Sequence, residues 1–192
     1  GILMTSGALD ESEAKGREAL AIRRAIYPPS DRAVAITANN LANTLQAKGQ
    51  PEEALALHQE SLDALRAGLG PEHSRTMLAR RNVAVMYTVM GDHERAKEAS
   101  EALLAVYERR GDTTSIEGAR AYGTYGTALA FSGQLAEAEA PFLRAVAITR
   151  TRLGDHIYTA ERLRSLLGLY RAQGRRAEAL ALAREAVGVY RR

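Results

Sequence analysis

The chain has 192 residues and a formal net charge of +3, with 46% hydrophobic and 26% charged residues. It contains no cysteine, which excludes disulfide bonds, thiolate metal ligands and a cysteine nucleophile. No apolar run approaches the roughly 20 residues that a membrane-spanning helix needs, and no signal peptide is visible. We therefore expect a cytoplasmic protein that makes no membrane contact.

Glycine recurs along the chain at a nearly constant interval, which is 42 residues three times and then 41. The five glycines are Gly7, Gly49, Gly91, Gly133 and Gly174. Five residues after each glycine comes a small side chain, namely Ser12, Ala54, Ala96, Ala138 and Ala179. A period of this length indicates one supersecondary unit that is stacked on copies of itself.

Each unit reads as two helices, with the glycine between them. Before Gly49, the apolar residues Leu41, Ala42 and Leu45 follow helical spacing. Gly49 is suited to end that helix, and Pro51 is suited to the first turn of the next one. Runs of alternating β-branched residues, which are typical of strands, are missing. The pattern predicts an all-α protein.

The loops that join successive units also repeat. Residues 69–76 (LGPEHSRT) align with residues 153–159 (LGDHIYT), which are one residue shorter. That deletion accounts for the single 41-residue interval. The glycine of each loop is typical of the position that follows a helix, and a Ser, Thr or Asp can cap the next helix.

The glycine register, the Leu-Gly-x-x-His loop at 69–73 and residues 39–42 (NNLA) and 81–84 (RNVA) resemble the tetratricopeptide repeat (TPR) family. The 42-residue period resembles its kinesin-light-chain-like branch, and the Arg- and Ala-rich composition suggests a bacterial source. The resemblance covers essentially the whole chain. It implies a right-handed α-solenoid of stacked antiparallel helix pairs, a TPR-like superhelix with about nine helices. The implied single array, 1–192, has units at approximately 1–30 (partial), 31–73, 74–115, 116–156 and 157–192.

The two ends of the chain fall inside the repeat pattern. Only six residues precede Gly7, although a complete first helix needs about fourteen in this pattern. We therefore expect a segment of a longer protein. Residues 2–5 and 187–190 would lack stacking neighbours, and such open apolar surface predicts self-association.

The sequence offers little that points to catalysis. The four histidines, His58, His73, His93 and His156, are dispersed, and a structural or solvated role is expected for each. Phosphate-binding loops, nucleophile elbows and His-Glu-x-x-His motifs are missing. The arginines are interleaved with acidic residues and accompany no nucleic-acid-binding module. We predict no enzyme, no metal, no cofactor and no nucleic-acid partner.

The first helix of each unit carries a stripe of side chains at 13, 10, 6 and 3 residues before the glycine, which share one helical face. In TPR proteins such faces line the concave groove. Amide and guanidinium groups predominate on the stripe and at its edge. The predicted peptide-binding residues are Asn39, Asn40, Asn43, Arg81, Asn82, Arg120, Arg164 and Arg171. Gly123 and Gly168 fall on the same stripe, where they are either tolerated variation or space for a ligand backbone.

These residues favour a non-catalytic scaffold that binds an extended, acidic or carboxylate-bearing peptide or partner segment in its groove. Two alternatives stay open. The array could be a regulatory or oligomerisation module of a larger bacterial signalling protein, fused to a kinase or an ATPase. It could also be part of an enzyme whose active site lies elsewhere.

Overall fold

The structure is a computed structural model that describes residues 6–190, and these residues form nine α-helices and no strand. The helices are α1 (Ser6–Ile26), α2 (Arg32–Ala47), α3 (Pro51–Leu69), α4 (Ser74–Val89), α5 (His93–Arg109), α6 (Ile116–Phe131), α7 (Glu139–Leu153), α8 (Ile157–Ala172) and α9 (Arg176–Tyr190). The predicted all-α class and number of helices are confirmed. Residues 2–5, which were predicted to expose apolar surface, lie outside the described residues.

Four of the five repeat glycines follow a first helix, as the register predicts. Gly49, Gly91, Gly133 and Gly174 have φ values of 74°, 75°, 79° and 75°. This left-handed backbone disfavours any side chain, which explains why glycine recurs there. Gly7 differs because it lies inside α1 and has no positive φ.

The two repeated loops, LGPEH at 69–73 and LGDH at 153–156, share one hydrogen-bonding pattern, in which histidine caps the following helix. The Nδ1 atoms of His73 and His156 each accept a hydrogen bond from a backbone N–H two residues later, at 3.2 Å. A threonine three residues after each histidine donates its hydroxyl proton to the carbonyl of Gly70 or Gly154, at 2.8 Å. These two histidines therefore have a structural role.

The chain divides into two compact units, of which unit 1 ends at Met90 and unit 2 begins at Gly91. In unit 1, consecutive helices from α1 to α4 pack on one another, and Leu41, Leu45 and Met86 belong to the core. In unit 2, α5 to α9 pack in the same consecutive manner around Phe142 and Leu163. The boundary between the units falls within the predicted repeat 74–115.

Small residues allow close helix packing in both units. Ala42, Ala54 and Ser61 are completely buried in unit 1. In unit 2, a Cβ atom at Gly126 would lie 3.1 Å from the ring of Phe142. Gly126 therefore lies at a close-packing position, because the aromatic ring fills the space beside it. None of the helices between residues 6 and 190 is both long enough and apolar enough to cross a bilayer.

Candidate functional site

In unit 1, three of the predicted site residues contact one another across α2 and α4. The Nδ2 of Asn82 donates a hydrogen bond to the Oδ1 of Asn39, at 2.8 Å. Arg81 donates from Nη2 to the Oδ1 of Asn82, at 3.4 Å, which is a weak contact. All three side chains are partly buried. The two asparagines thus use part of their hydrogen-bonding capacity inside the protein.

The other two predicted residues of unit 1 point into solvent. Asn40 and Asn43 are exposed on α2. Leu78, which belongs to the same stripe on α4, is also exposed. The first-helix face of unit 1, which we define as the stripe residues of α2 and α4 with Asn40 and Asn82 at its edge, therefore combines an internal amide pair with exposed amides.

Unit 2 contains a pocket of about 580 Å³ between α6 and α8. Its lining is mostly apolar, with one guanidinium group. The lining residues are Thr127, Ala130, Phe131, Leu135, Phe142, Arg164, Ser165, Gly168, Leu169 and Ala172. Pockets of about 300–1,000 Å³ that are largely apolar with few polar groups are typical of binding sites. We call this the α6/α8 pocket.

Of the three predicted arginines of unit 2, one lines this pocket. Arg164 lines it directly, and Gly168 leaves open space because a Cβ atom there would meet nothing within 4 Å. Arg120 places its guanidinium carbon 4.9 Å from the centre of the Tyr158 ring, a cation–π contact. Arg171 is exposed on α8 and does not line the pocket.

Other arginines of unit 2 are neutralised within the protein. Arg175 bonds Glu139 at 2.7 Å and Glu178 at 2.5 Å, and its guanidinium lies 3.8 Å from the centre of the Tyr170 ring. Within residues 6–190, no carboxylate pairs with Arg120 or Arg164 in this way. These two guanidinium groups therefore differ from Arg175 in their capacity to take an anionic ligand.

The stripe pattern does not include Arg162 of α8, whose guanidinium lies against α6. A Cβ atom at Gly123 would approach its Nη1 to 2.5 Å, so the glycine provides the space that the guanidinium occupies. The register contained a signal, because the equivalent positions twelve residues before the other glycines hold Thr37, Ala79 and Ala121. Gly123 therefore makes room for a side chain of this protein, an explanation that the sequence interpretation did not consider.

Two histidines outside the loops have chemically distinct environments. His58 is 1% exposed, and its Nδ1 has no hydrogen-bond partner among residues 6–190. Burial lowers the pKa of His58 to about 4, so the ring is neutral at pH 7. His93 stacks on Phe131, with ring centres 5.9 Å apart. Among the described residues, no group of three or more His, Asp or Glu side chains could hold a metal ion.

Structures with a similar fold include the repeats of a kinesin light chain and the protein BtubC. The TPR-like repeats of a kinesin light chain from Podosopora anserina are 22% identical, with a TM-score of 0.79 over 95% of this chain and 87% of that chain. BtubC (BKLC) from P. vanneervenii is 20% identical, with a TM-score of 0.78 over 96% and 74%. At these identities the likeness shows the fold.

A third similar structure is a Rap protein complexed with competence and sporulation factor. It is 18% identical, with a TM-score of 0.76, and the match covers 95% of this chain but 48% of that chain. No curated protein sequence matches this chain.

The family model for the tetratricopeptide repeat matches four overlapping segments, residues 1–67, 33–109, 72–151 and 119–192. Together they span the chain from end to end. The predicted solenoid class agrees with this match and with the structures of similar fold. The chain belongs to the tetratricopeptide repeat family.

Proposed function

We propose that this chain is a protein–protein interaction module whose first helices bind an extended, acidic segment of a partner protein. Tetratricopeptide repeat proteins generally mediate protein–protein interactions, and the family is generally non-catalytic. A similar structure, that of a Rap protein, is a complex with competence and sporulation factor. We further expect the module to act in the cytoplasm.

The α6/α8 pocket carries this proposal. It offers an apolar lining for a side chain of the partner, and Arg164 provides a guanidinium group at the same place. Arginine suits a carboxylate because its planar group donates two parallel hydrogen bonds. Arg120 and Arg171 extend the positive charge along the same two helices. A segment that pairs an apolar residue with neighbouring carboxylates fits these features.

The first-helix face of unit 1 contributes a different kind of contact in this proposal. The exposed amides of Asn40 and Asn43 can each donate to and accept from a peptide backbone. Asn39, Arg81 and Asn82 hold one another in place beside them. Such contacts would add affinity with little demand on the partner's sequence.

The experiment uses a labelled peptide library in which each member pairs one leucine or phenylalanine with neighbouring aspartates or glutamates. A matched library replaces the acids with asparagine and glutamine. We expect binding of the acidic library alone, weakened by Arg164→Glu and Arg120→Glu. Arg184→Glu is the matched control, because Arg184 is exposed on α9 in the same unit. Equal binding of both libraries, or equal effects of all three variants, would contradict the proposal.

A second role, self-association, has one observation in its favour. Leu180, Val187 and Tyr190 are exposed at 52%, 47% and 54% and follow helical spacing on α9. A second copy that covers this stripe would serve the oligomerisation or regulatory role that the sequence leaves open. Sedimentation over a wide concentration range tests it, with Leu180→Glu as the variant expected to stay monomeric. A wild-type chain that stays monomeric at the highest concentration would rule it out.

A further inference from the structure

Arg162 is a cation at a position that the other repeats keep small. Its side chain is 21% exposed, whereas the equivalent residues are one threonine and two alanines. Burial lowers the pKa of its guanidinium from the ordinary value. An arginine nevertheless keeps its charge in proteins, so the fold holds a partly desolvated positive charge between α6 and α8.

A glycine on the facing helix leaves the space that this charge occupies. The guanidinium of Arg162 lies against α6 at Gly123, where a Cβ atom would come within 2.5 Å of Nη1. Glycine inside a helix weakens it relative to alanine. Gly123 therefore weakens α6 but leaves the space in which the guanidinium of Arg162 lies.

The charges around Arg162 are unbalanced. Arg120 of α6 reaches the ring of Tyr158, four residues before Arg162 on α8, and Arg164 follows Arg162 by two residues. Both cations lower the pKa of Arg162 further, and Glu161 opposes them. The Nη2 of Arg162 is 3.6 Å from the Oε2 of Glu161, too far for a hydrogen bond. Arg120 faces the ring of Tyr158 instead of a carboxylate. Three guanidinium groups and one carboxylate leave a net charge of about +2.

We propose that Arg120, Arg162 and Arg164 form a binding site for a phosphate dianion, carried on a phosphorylated serine or threonine of the partner segment. This inference rests on the proposed function, since it names one group of the segment that α6 and α8 bind. A phosphoserine has a charge of about −1.5 to −2 at pH 7 and three strong acceptor oxygens. The charge of one phosphate group balances the net charge of the three arginines and Glu161. Its three acceptor oxygens equal the guanidinium groups in number. A single carboxylate matches neither.

The first experiment uses inorganic phosphate, followed through the side-chain N–H resonances of arginine at constant ionic strength. We expect saturable shifts at Arg162, and at least a tenfold loss of affinity in Arg162→Gln. Gly123→Ala should produce a similar loss, because its Cβ displaces the guanidinium without removing it. Gly188→Ala is the matched control, since Gly188 lies on α9 away from this site and its Cβ meets nothing within 4 Å, and Arg184→Gln controls for net charge.

The pH dependence gives a second readout. The second pKa of a phosphate monoester is about 6, so the dianion disappears as the pH falls below that value. Binding of free phosphoserine, whose phosphate is a monoester, should weaken between about pH 7 and pH 5.5, while binding of sulfate, which keeps its charge, should not. The proposal would be overturned if phosphate shifted the arginine N–H resonances equally in the two glycine variants. It would also be overturned if Arg184→Gln lost these shifts as much as Arg162→Gln does, because phosphate would then bind only as a non-specific counterion.

The last experiment separates this inference from the proposed function. Acidic library members are compared with serine, glutamate or phosphoserine at one position. We expect the phosphoserine form to bind at least tenfold more tightly than the other two and more tightly than inorganic phosphate. If the acidic forms bind but phosphoserine gives no gain and Arg162→Gln no loss, this inference fails and the proposed function stands. If inorganic phosphate binds at Arg162 and no peptide does, the proposed function fails and the partner-borne phosphate fails with it.

Discussion

The first-helix faces of the two units carry polar residues at equivalent register positions, yet these residues are used differently. In unit 1, Asn82 donates to Asn39 at 2.8 Å, so the polar groups satisfy each other. In unit 2, Arg164 lines an apolar pocket and has no carboxylate partner among the described residues. The same register of polar side chains therefore forms an internal hydrogen bond in unit 1 and a charged pocket wall in unit 2. Internal pairing stabilises the protein, whereas unpaired charge beside a pocket suits a ligand.

The units also differ in their interiors, and the largest effect we expect follows from this. Nine residues after the repeat glycine, unit 1 buries His58, whereas unit 2 has Ser100, Phe142 and Ala183. The pKa of His58 falls from 6.5 to about 4 on folding. The unfolded chain binds a proton in this interval and the folded chain does not, so stability falls as the pH is lowered through it. At about 1.4 kcal/mol per pKa unit, the loss is about 3 kcal/mol.

Urea unfolding of the wild type and of His58→Gln, at pH values between about 7 and 4.5, measures this loss. Carboxylates in ion pairs change the free energy of unfolding only at lower pH. The hydrogen bond from Lys48 lowers the pKa of Glu13 below 4.5, and that from Arg17 lowers the pKa of Glu53. Their contributions are lost only below that value. Wild type and variant should converge as the pH falls, and parallel curves would exclude His58 as the cause.

The second prediction compares the two faces in binding. Arg164→Glu should reduce the affinity for the acidic peptide library at least tenfold, or about 1.4 kcal/mol. Arg81→Glu in unit 1 should cause a smaller loss, because Arg81 already donates to Asn82. Raising the salt concentration should shrink both differences, since charges at open sites are screened. Fluorescence anisotropy measures the peptide affinity of the wild type and of the two variants. A larger loss in Arg81→Glu than in Arg164→Glu would mean that unit 1, and not unit 2, binds the acidic groups.

The third prediction concerns the stability that the asparagine pair supplies. A double-mutant cycle of Asn39→Ala and Asn82→Ala should give a coupling free energy of about 0.5–1.5 kcal/mol, as for one hydrogen bond. Asn43→Ala on the same helix should be neutral or stabilising, because Asn43 is exposed and alanine favours helix. Urea unfolding provides each value. Zero coupling would mean that the pair contributes nothing to folding.

Much of the fold could be predicted because its signals are local and repeated. The register placed the glycines that end α2, α4, α6 and α8, and a positive φ explains each of them. The stripe rule likewise identified Arg164 as a residue of the first-helix face. Helical spacing depends only on the chain itself, so these inferences needed no tertiary information.

The parts that could not be predicted depend on contacts between helices. Helical spacing alone could not show that Asn39 pairs with Asn82, which lies 43 residues away. Arg162 was missed because the stripe rule excludes its position, although the guanidinium reaches α6. Its mismatch with Ala79 and Ala121 was visible in the register. Departures from a repeat therefore deserve as much weight as the matches.

The smallest effect we expect comes from a feature that the two units share. The residue 17 positions after one repeat glycine pairs with the residue 11 positions after the next. In unit 1 this pair is Arg24 and Glu60, at 2.5 Å, and in unit 2 it is Arg150 and Glu185. All four side chains are substantially exposed to solvent. Exposed pairs of this kind contribute about 0.2–1 kcal/mol, and less at high salt.

Charge reversal tests whether these pairs act through their charges. Arg24→Glu should lower the unfolding free energy slightly, because it places two carboxylates side by side. Adding Glu60→Arg should restore most of the loss, since the swap rebuilds the pair in the opposite sense. The equivalent swap of Arg150 and Glu185 should behave alike, because the geometry is repeated. If the double swap is as destabilised as the two single reversals added together, packing of the long side chains and not charge accounts for the contact.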